Sequence, residues 1–334
     1  YAGFDIAQLS LRSLSQASKL DPVVELFSRV IALPALPQEA LDRDRAAMIV
    51  NLAQQKTRID SLLSMTFMKN LYAGHPYENA SIVSESSLSS ITRQDLIQFH
   101  STYYVAENAS LAIVGDLSLE QARQYAEKVV RHLSAGKPAG ALPVPQPTQG
   151  KTIRLDFDTP QTQLRIGMPV ITRHDADYYA LTLGNHILGG NGSHSRLMQK
   201  IREEQGLSYS VYSSLSPLQV AGPFEMGLQT SNHQLDAALN SLDQLLQVFI
   251  EKGPTEAELQ AAKRNIIGGF ALRLDSNRKL LNQLSIMGYY QLPLDFLDQY
   301  AQKIEKVTLQ DIHRAFRNRI RPEQMIRVIV GPLP

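Results

Sequence analysis

Two stretches of this 334-residue chain are restated further along at one constant spacing. Ile91-Thr92-Arg93-Gln94-Asp95-Leu96 returns as Val307-Thr308-Leu309-Gln310-Asp311-Ile312, and Ala112-Ile113-Val114-Gly115 returns as Val328-Ile329-Val330-Gly331. Both pairs lie 216 residues apart, and Pro37-Gln38-Glu39-Ala40 returns as Pro254-Thr255-Glu256-Ala257 at 217. A spacing held over so long a span points to a duplicated fold rather than to chance. The same offset leaves residues 151–216 without a counterpart in the first copy. That copy is therefore expected to be truncated at its N-terminus by roughly 65 residues, the size of two strands, a helix and their loops.

Between the copies, Gly136 to Gly150 is rich in Pro and Gly and reads as a linker. The expected organisation is a first domain over 1–135, the linker over 136–150, and a second domain over 151–334. In the first, periodicity predicts helices over Asp21–Val30, Gln38–Gln55, Ile59–Tyr72 and Leu119–Leu133, and another from Thr92 to near Tyr103. A short buried strand is expected at Ser110–Asp116. In the second, strands are expected at Thr152–Phe157, Gln163–Pro169, Ser208–Tyr212 and Phe224–Gln229. Helices are expected at Asp175–Leu188, Leu235–Glu251, Thr255–Leu272, Ser276–Tyr290 and Leu294–Lys303. The fold class is α+β, each domain a sheet with helices packed against it.

With 43% apolar and 19% charged residues, such a chain can bury a core. A net charge of +1 gives no bulk attraction to nucleic acid or to an anionic membrane. Arg314, Arg317, Arg319 and Arg321 form the densest basic run, read as a solvated face near a helix end rather than a phosphate site. There is no cysteine, hence no disulfide, thiolate metal site or cysteine nucleophile. That absence is compatible with an oxidising compartment such as the periplasm, and a bacterial periplasm or cytoplasm is favoured over a mitochondrion. No apolar run reaches the ~18–20 residues of a membrane helix. The chain begins with Tyr1 rather than Met, so the true N-terminus is expected to lie upstream.

The chemistry concentrates in Gly189-Gly190-Asn191-Gly192-Ser193-His194-Ser195-Arg196-Leu197 and its continuation to Ser213. A glycine-rich loop is expected first, then a helix capped by Ser193 and stopped by Gly206, then a strand. That order sets Arg202 near the helix end and Tyr209 at the strand start. A guanidinium and a phenol both donate to an oxygen that gains negative charge. The competing arrangement pairs Arg202 with Glu203 or Glu204 and packs Tyr209 as an ordinary strand aromatic. His186 reads as a core or cap histidine, His194 as a solvated loop residue, and Asp175 and Asp177 as helix N-terminal acids.

The stretch resembles the second-half signature of the pitrilysin-type zinc peptidases, the family of insulin-degrading enzyme and the mitochondrial processing peptidases. That signature is a Gly-rich loop, then Ser-Arg-Leu (here Ser195-Arg196-Leu197), then an Arg followed seven residues later by a Tyr (Arg202, Tyr209). His75-Pro76-Tyr77, Tyr103-Tyr104 and Asn108 to Asp116 also match family landmarks, with Ala106 replacing the usual Pro. The resemblance implies two duplicated domains, each a mainly antiparallel sheet packed against helices. It also implies that Arg202 and Tyr209 serve the substrate carbonyl in trans, and that Gly189, Gly190, Asn191 and Gly192 line a surface holding extended peptide by strand addition.

The family's H-x-x-E-H zinc motif is not among the eight His of this chain. Where the family places its third zinc ligand in E-R-E-x-x-V-x-x-E-E, this chain has Asp42-Arg43-Asp44-Arg45-Ala46-Ala47-Met48-Ile49-Val50-Asn51, and neither Val50 nor Asn51 offers a carboxylate. No metal is therefore expected in this chain. The resemblance implies a non-catalytic member that pairs with a homologous zinc-bearing chain, or with itself in isolation, and adds peptide binding and transition-state stabilisation to peptide hydrolysis. Two alternatives stand beside it: a purely structural core subunit of a larger complex, and an active zinc peptidase whose zinc helix is absent from this sequence.

Overall fold

The computed structural model describes residues 2–333. In chain order its helices are α1 (Ala17–Ala32), α2 (Gln38–Gln55), α3 (Ile59–Leu71), α4 (Glu85–Ser90), α5 (Arg93–Tyr103), α6 (Leu119–Val130), α7 (Tyr178–Asn185), α8 (Leu235–Lys252), α9 (Glu256–Gly268), α10 (Asn277–Tyr289), α11 (Phe296–Lys306) and α12 (Leu309–Arg319). The strands are β1 (Lys151–Asp156), β2 (Gln161–Ile171), β3 (Ser210–Leu215), β4 (Gly222–Ser231) and β5 (Ile326–Gly331). Two compact units form, each from separated stretches. The first is Tyr1–Leu52, Ser84–Ala141 and Ala271–Phe296; the second is Ala53–Val83, Leu142–Phe270 and Leu297–Pro334. Residues 136–150 contain no helix or strand, and the border between units passes through them.

The first unit is helical. α1 lies against α6, where the buried Ser28 hydroxyl donates to the Val129 carbonyl at 2.8 Å. α5 starts in a capping box: the Asp95 N–H donates to the Thr92 hydroxyl at 3.2 Å and the Asp95 carboxylate accepts from the Thr92 N–H at 2.8 Å. In the second unit α12 opens in the same box, with Thr308 and Asp311 at 3.2 and 3.0 Å. The restated sequence thus builds the same helix start twice. The strand expected at Ser110–Asp116 does not form. A strand needs a neighbour for its N–H and C=O groups. Among the described residues of this unit, pairing of that kind is confined to a bridge between Ala2 and Ala7.

The second unit holds one mixed sheet in the order β1-β5-β2-β4-β3. β1 runs parallel to β5, and every other pairing is antiparallel. β2 and β4 are its spine, pairing from Gln161↔Ser231 to Ile171↔Gly222 with an irregularity after Pro169. Alternation of side chains divides the faces. Leu164 and Ile166 of β2 and Phe224, Met226 and Leu228 of β4 are buried on one face, where Phe224 meets Phe316 of α12 edge-on at 6.1 Å. Phe316 in turn meets Phe249 of α8 at 4.8 Å. On the other face α3 packs Leu63, Phe67 and Leu71 against Ile326, Val328 and Val330. A sheet buried on both faces explains why β5 is apolar at every position but Arg327, whose guanidinium is held by Asp243 of α8 at 2.7 Å.

Phe67 is fully buried at the centre of the α3 layer, within 3.0 Å of where a Cβ on Gly167 would stand. Phe67→Ala is expected to destabilise the second unit by about 3–5 kcal/mol. Urea unfolding followed by circular dichroism would show it as a lower midpoint.

Candidate functional site

α7 does not end at Leu188 in a glycine loop, as the sequence suggested. It passes into a π-helical turn, His186–Gly190, that takes in Gly189 and Gly190. The reason is close packing: a Cβ on Gly189 would lie 2.3 Å from the Ser213 nitrogen and 2.8 Å from Leu197. Only a residue without a side chain lets this turn rest on β3. The Ser213 hydroxyl donates to the Asn185 carbonyl at 3.4 Å across the same contact. Asn191 is half-buried, Gly192 is exposed with φ of 53°, and a short 3₁₀ turn covers Gly192–His194. His194 is exposed and His186 half-buried.

The next helix is capped by Ser195, not by Ser193. The Ser195 hydroxyl accepts from the Met198 N–H at 3.4 Å and donates to the Gly192 carbonyl at 2.7 Å. Most of this helix, Met198–Glu204, is again π-wound, a geometry concentrated at functional sites. It stops where expected. Gly206 takes φ of 65° and donates to the Arg202 carbonyl, while Leu207 donates to the Ile201 carbonyl at 2.9 Å.

Arg202 and Tyr209 come together. The guanidinium stands 5.1 Å from the ring centroid, and Tyr209 is 73% exposed. Neither glutamate neighbour takes Arg202: Glu204 is held by Lys200 at 2.7 Å, and among the described residues no ion pair involves Arg202. A cation stacked on an exposed aromatic gains only about 0.5–1 kcal/mol, so its donors remain available. The pair sits at the start of β3, an edge strand. Ser216 donates to the Pro223 carbonyl at 2.9 Å, and an antiparallel ladder alternates by two. Ser210, Tyr212 and Ser214 therefore turn their main-chain groups to β4, whereas Val211, Ser213 and Leu215 turn theirs away from it. Among the described residues no strand pairs on that side.

Sequence reasoning missed what anchors this region. Arg196, noted only as part of a motif, makes paired hydrogen bonds to Glu258 at 2.9 and 2.6 Å and stacks over Phe249 at 4.9 Å. Burial works against the Glu258 carboxylate, but hydrogen bonds from Arg196 and Thr255 prevail and hold its pKa below the usual 4.5. The signal available was the capping box Thr255-x-x-Glu258. Arg319 likewise is not a solvated cation; it binds Asp175 at 2.9 Å and Asp177 at 3.1 Å beside α7. Asp177 makes no side-chain cap, so the two acids serve this ion-pair cluster as well as the helix start.

The family's zinc does not fit this chain. Val50 and Asn51 are exposed on α2 without a carboxylate, and among the described residues no three His, Cys, Asp or Glu side chains converge to hold a metal ion. No helix among the described residues is long and apolar enough to cross a membrane.

Two outcomes follow from this geometry. Gly189→Ala is expected to cost about 1–3 kcal/mol, since the methyl group meets backbone rather than a yielding side chain; urea midpoints of the two proteins measure it. For Glu258 the folded pKa is depressed, so its stabilisation is fully present above pH 4.5 and is lost as pH falls through the folded value. The stability gap between the parent and Glu258→Gln is therefore expected to be full at pH 7 and to close progressively below pH 4.5.

Comparison with known proteins agrees with the sequence resemblance. Residues 90–266 match the family described as the peptidase M16 inactive domain. A non-peptidase homologue, YmxG, of Helicobacter pylori is 28% identical over 92% of this chain and 70% of its own length. An uncharacterised zinc protease of Mycobacterium leprae is 24% identical over 94% of this chain and 71% of its own. The crystal structure of a peptidase M16 inactive domain from Pseudomonas fluorescens is 34% identical and superposes with a TM-score of 0.92, covering 96% of this chain and 77% of that one. The matched segment, over half of the sequence, carries the helix starts at Thr92 and Thr255, the paired arginine and tyrosine and the edge strand, and on it this chain belongs to the M16 peptidase family as an inactive, peptidase-like member.

Proposed function

We propose that this chain is the non-catalytic half of a two-chain peptidase, pairing with a homologous zinc-bearing chain and supplying peptide binding and charge stabilisation. The observation that carries the reading is the exposed guanidinium of Arg202, free of any carboxylate among the described residues and held over Tyr209 beside the unpaired side of β3. An extended peptide lying along Val211, Ser213 and Leu215 would exchange main-chain hydrogen bonds with them. Gly190, Asn191 and Gly192 stand at the neighbouring turn, and Gly189 keeps that turn seated on β3. Hydrolysis places negative charge on the scissile carbonyl oxygen, and Arg202 and the Tyr209 hydroxyl are donors suited to it. The partner chain would bring the metal-activated water. Residues 1–135 and 151–334 would be the two copies of one duplicated domain, joined by the 136–150 stretch.

A purely structural role leaves the Arg202–Tyr209 arrangement without a use, since the pair covers no core. Mixing this chain with a purified zinc-bearing homologue is expected to produce peptide hydrolysis that neither chain shows alone. Arg202→Ala is expected to lower turnover by about 10- to 100-fold, the worth of one charged hydrogen bond. Sedimentation should show association intact. Unchanged turnover removes Arg202 from the reaction, and hydrolysis by this chain alone removes the need for a partner.

A further inference from the structure

We propose that Arg196 is a positioning residue for Arg202: its two hydrogen bonds to Glu258 fix the start of the helix that carries Arg202, and so set where that guanidinium stands over Tyr209. The inference rests on the reading of Arg202 and Tyr209 given above.

Arg196 is the first residue after the Ser195 cap, and its side chain is only 14% exposed. Both ends of its fork are engaged, Nε and Nη2 each meeting one Glu258 oxygen. Its flat face lies over the fully buried Phe249 of α8. Glu258 is itself immobilised, because its Oε2 also accepts from the Thr255 N–H at 2.7 Å and the Thr255 hydroxyl at 2.9 Å at the start of α9. The helix is thus tied at its first turn to two elements of the core, and at its last turn it ends in the left-handed Gly206.

Leu197 and Ile201 are fully buried and also hold this helix down. Apolar burial has no preferred direction and tolerates rotation about the helix axis. A planar guanidinium bonded twice to a carboxylate fixes an angle as well as a distance. That angle matters here because Met198–Glu204 is π-wound. The direction in which Arg202 projects then depends on where the helix is pinned and on how many residues each turn takes. A loosened pin lets the segment relax toward ordinary α-helical winding, which turns Arg202 away from Tyr209.

The chain has no Trp, so Tyr209→Trp places a single indole reporter at the site. In that background Arg202→Ala defines the emission of the unstacked ring. Arg196→Ala, Arg196→Lys and Glu258→Gln are expected to move the emission toward that reference. In the Tyr209 parent they should weaken binding of dye-labelled unstructured peptides of about eight residues by about tenfold, a cost of misplacement. Thr308→Ala removes the like cap at α12, whose hydroxyl bonds Asp311 and touches neither Arg196 nor Glu258; it should lower the melting temperature while emission and peptide affinity stay at parental values. Clamp variants that keep the far-ultraviolet spectrum of the fold yet show parental emission and affinity would overturn the proposal. Should Arg196→Ala fail to fold, Arg196→Lys and Glu258→Gln carry the test. If the clamp variants shift the emission while Arg202→Ala binds peptide like the parent, positioning stands and the peptide-donor reading falls.

Discussion

The pairing of β2 with β4 is the constraint on which the second unit rests. Nine consecutive residue pairs in register, Gln161↔Ser231 to Pro169↔Pro223, fix which side chains face each layer, and a slip by one residue would turn every one of them over. With that register, Leu164, Ile166, Phe224, Met226 and Leu228 meet the helical layer of α8 and α12, while Arg165 and Gly167 meet α3. β3 inherits its orientation from β4. Its alternation follows from Ser216 and Pro223, so the side that Val211, Ser213 and Leu215 present is decided by the same register. The candidate site is therefore an edge of a rigid sheet, where a functional group holds its direction better than on a free loop.

Two different forces hold the site. Close backbone approach seats the His186–Gly190 turn on β3, a contact possible only because Gly189 lacks a Cβ. Directional hydrogen bonding ties the following helix to α9 through Arg196 and Glu258. Between these two fixed points lie the 3₁₀ turn at Gly192–His194 and the Ser195 cap. Arg202 needs no ion-pair partner to be placed, and it stays exposed over Tyr209. Glu204, two residues on, is taken by Lys200 at 2.7 Å.

Helices with strong start signals were legible in the chain: the capping boxes at Thr92 and Thr255 begin α5 and α9 where the sequence places them, and the restated Thr308 box begins α12. The strands of the second unit were legible from their β-forming residues bounded by turns, to within a few residues. Ser110–Asp116 carries the same apolar pattern and makes no strand, because a pattern states a preference and a ladder supplies the hydrogen bonds. Glycines misled in the opposite way. Gly189 and Gly190 read as loop formers, yet tertiary contact with Ser213 and Leu197 makes a missing side chain an advantage inside a helical turn.

For the site itself, the seven-residue interval from Arg202 to Tyr209 and the Gly206 stop are local, and the sequence alone determined them. The chain stops its helix and reverses within that interval, which suffices to bring a guanidinium near a phenol. What only the tertiary structure decided is long-range: Arg196 with Glu258, 62 residues away, and Arg319 with Asp175, 144 residues away. Nothing in either residue's neighbourhood names its partner, because the choice depends on which helices the core brings side by side. A sequence fixes periodicity and turn chemistry within a few residues of each position, whereas ion-pair partners are selected by the packing of elements distant along the chain.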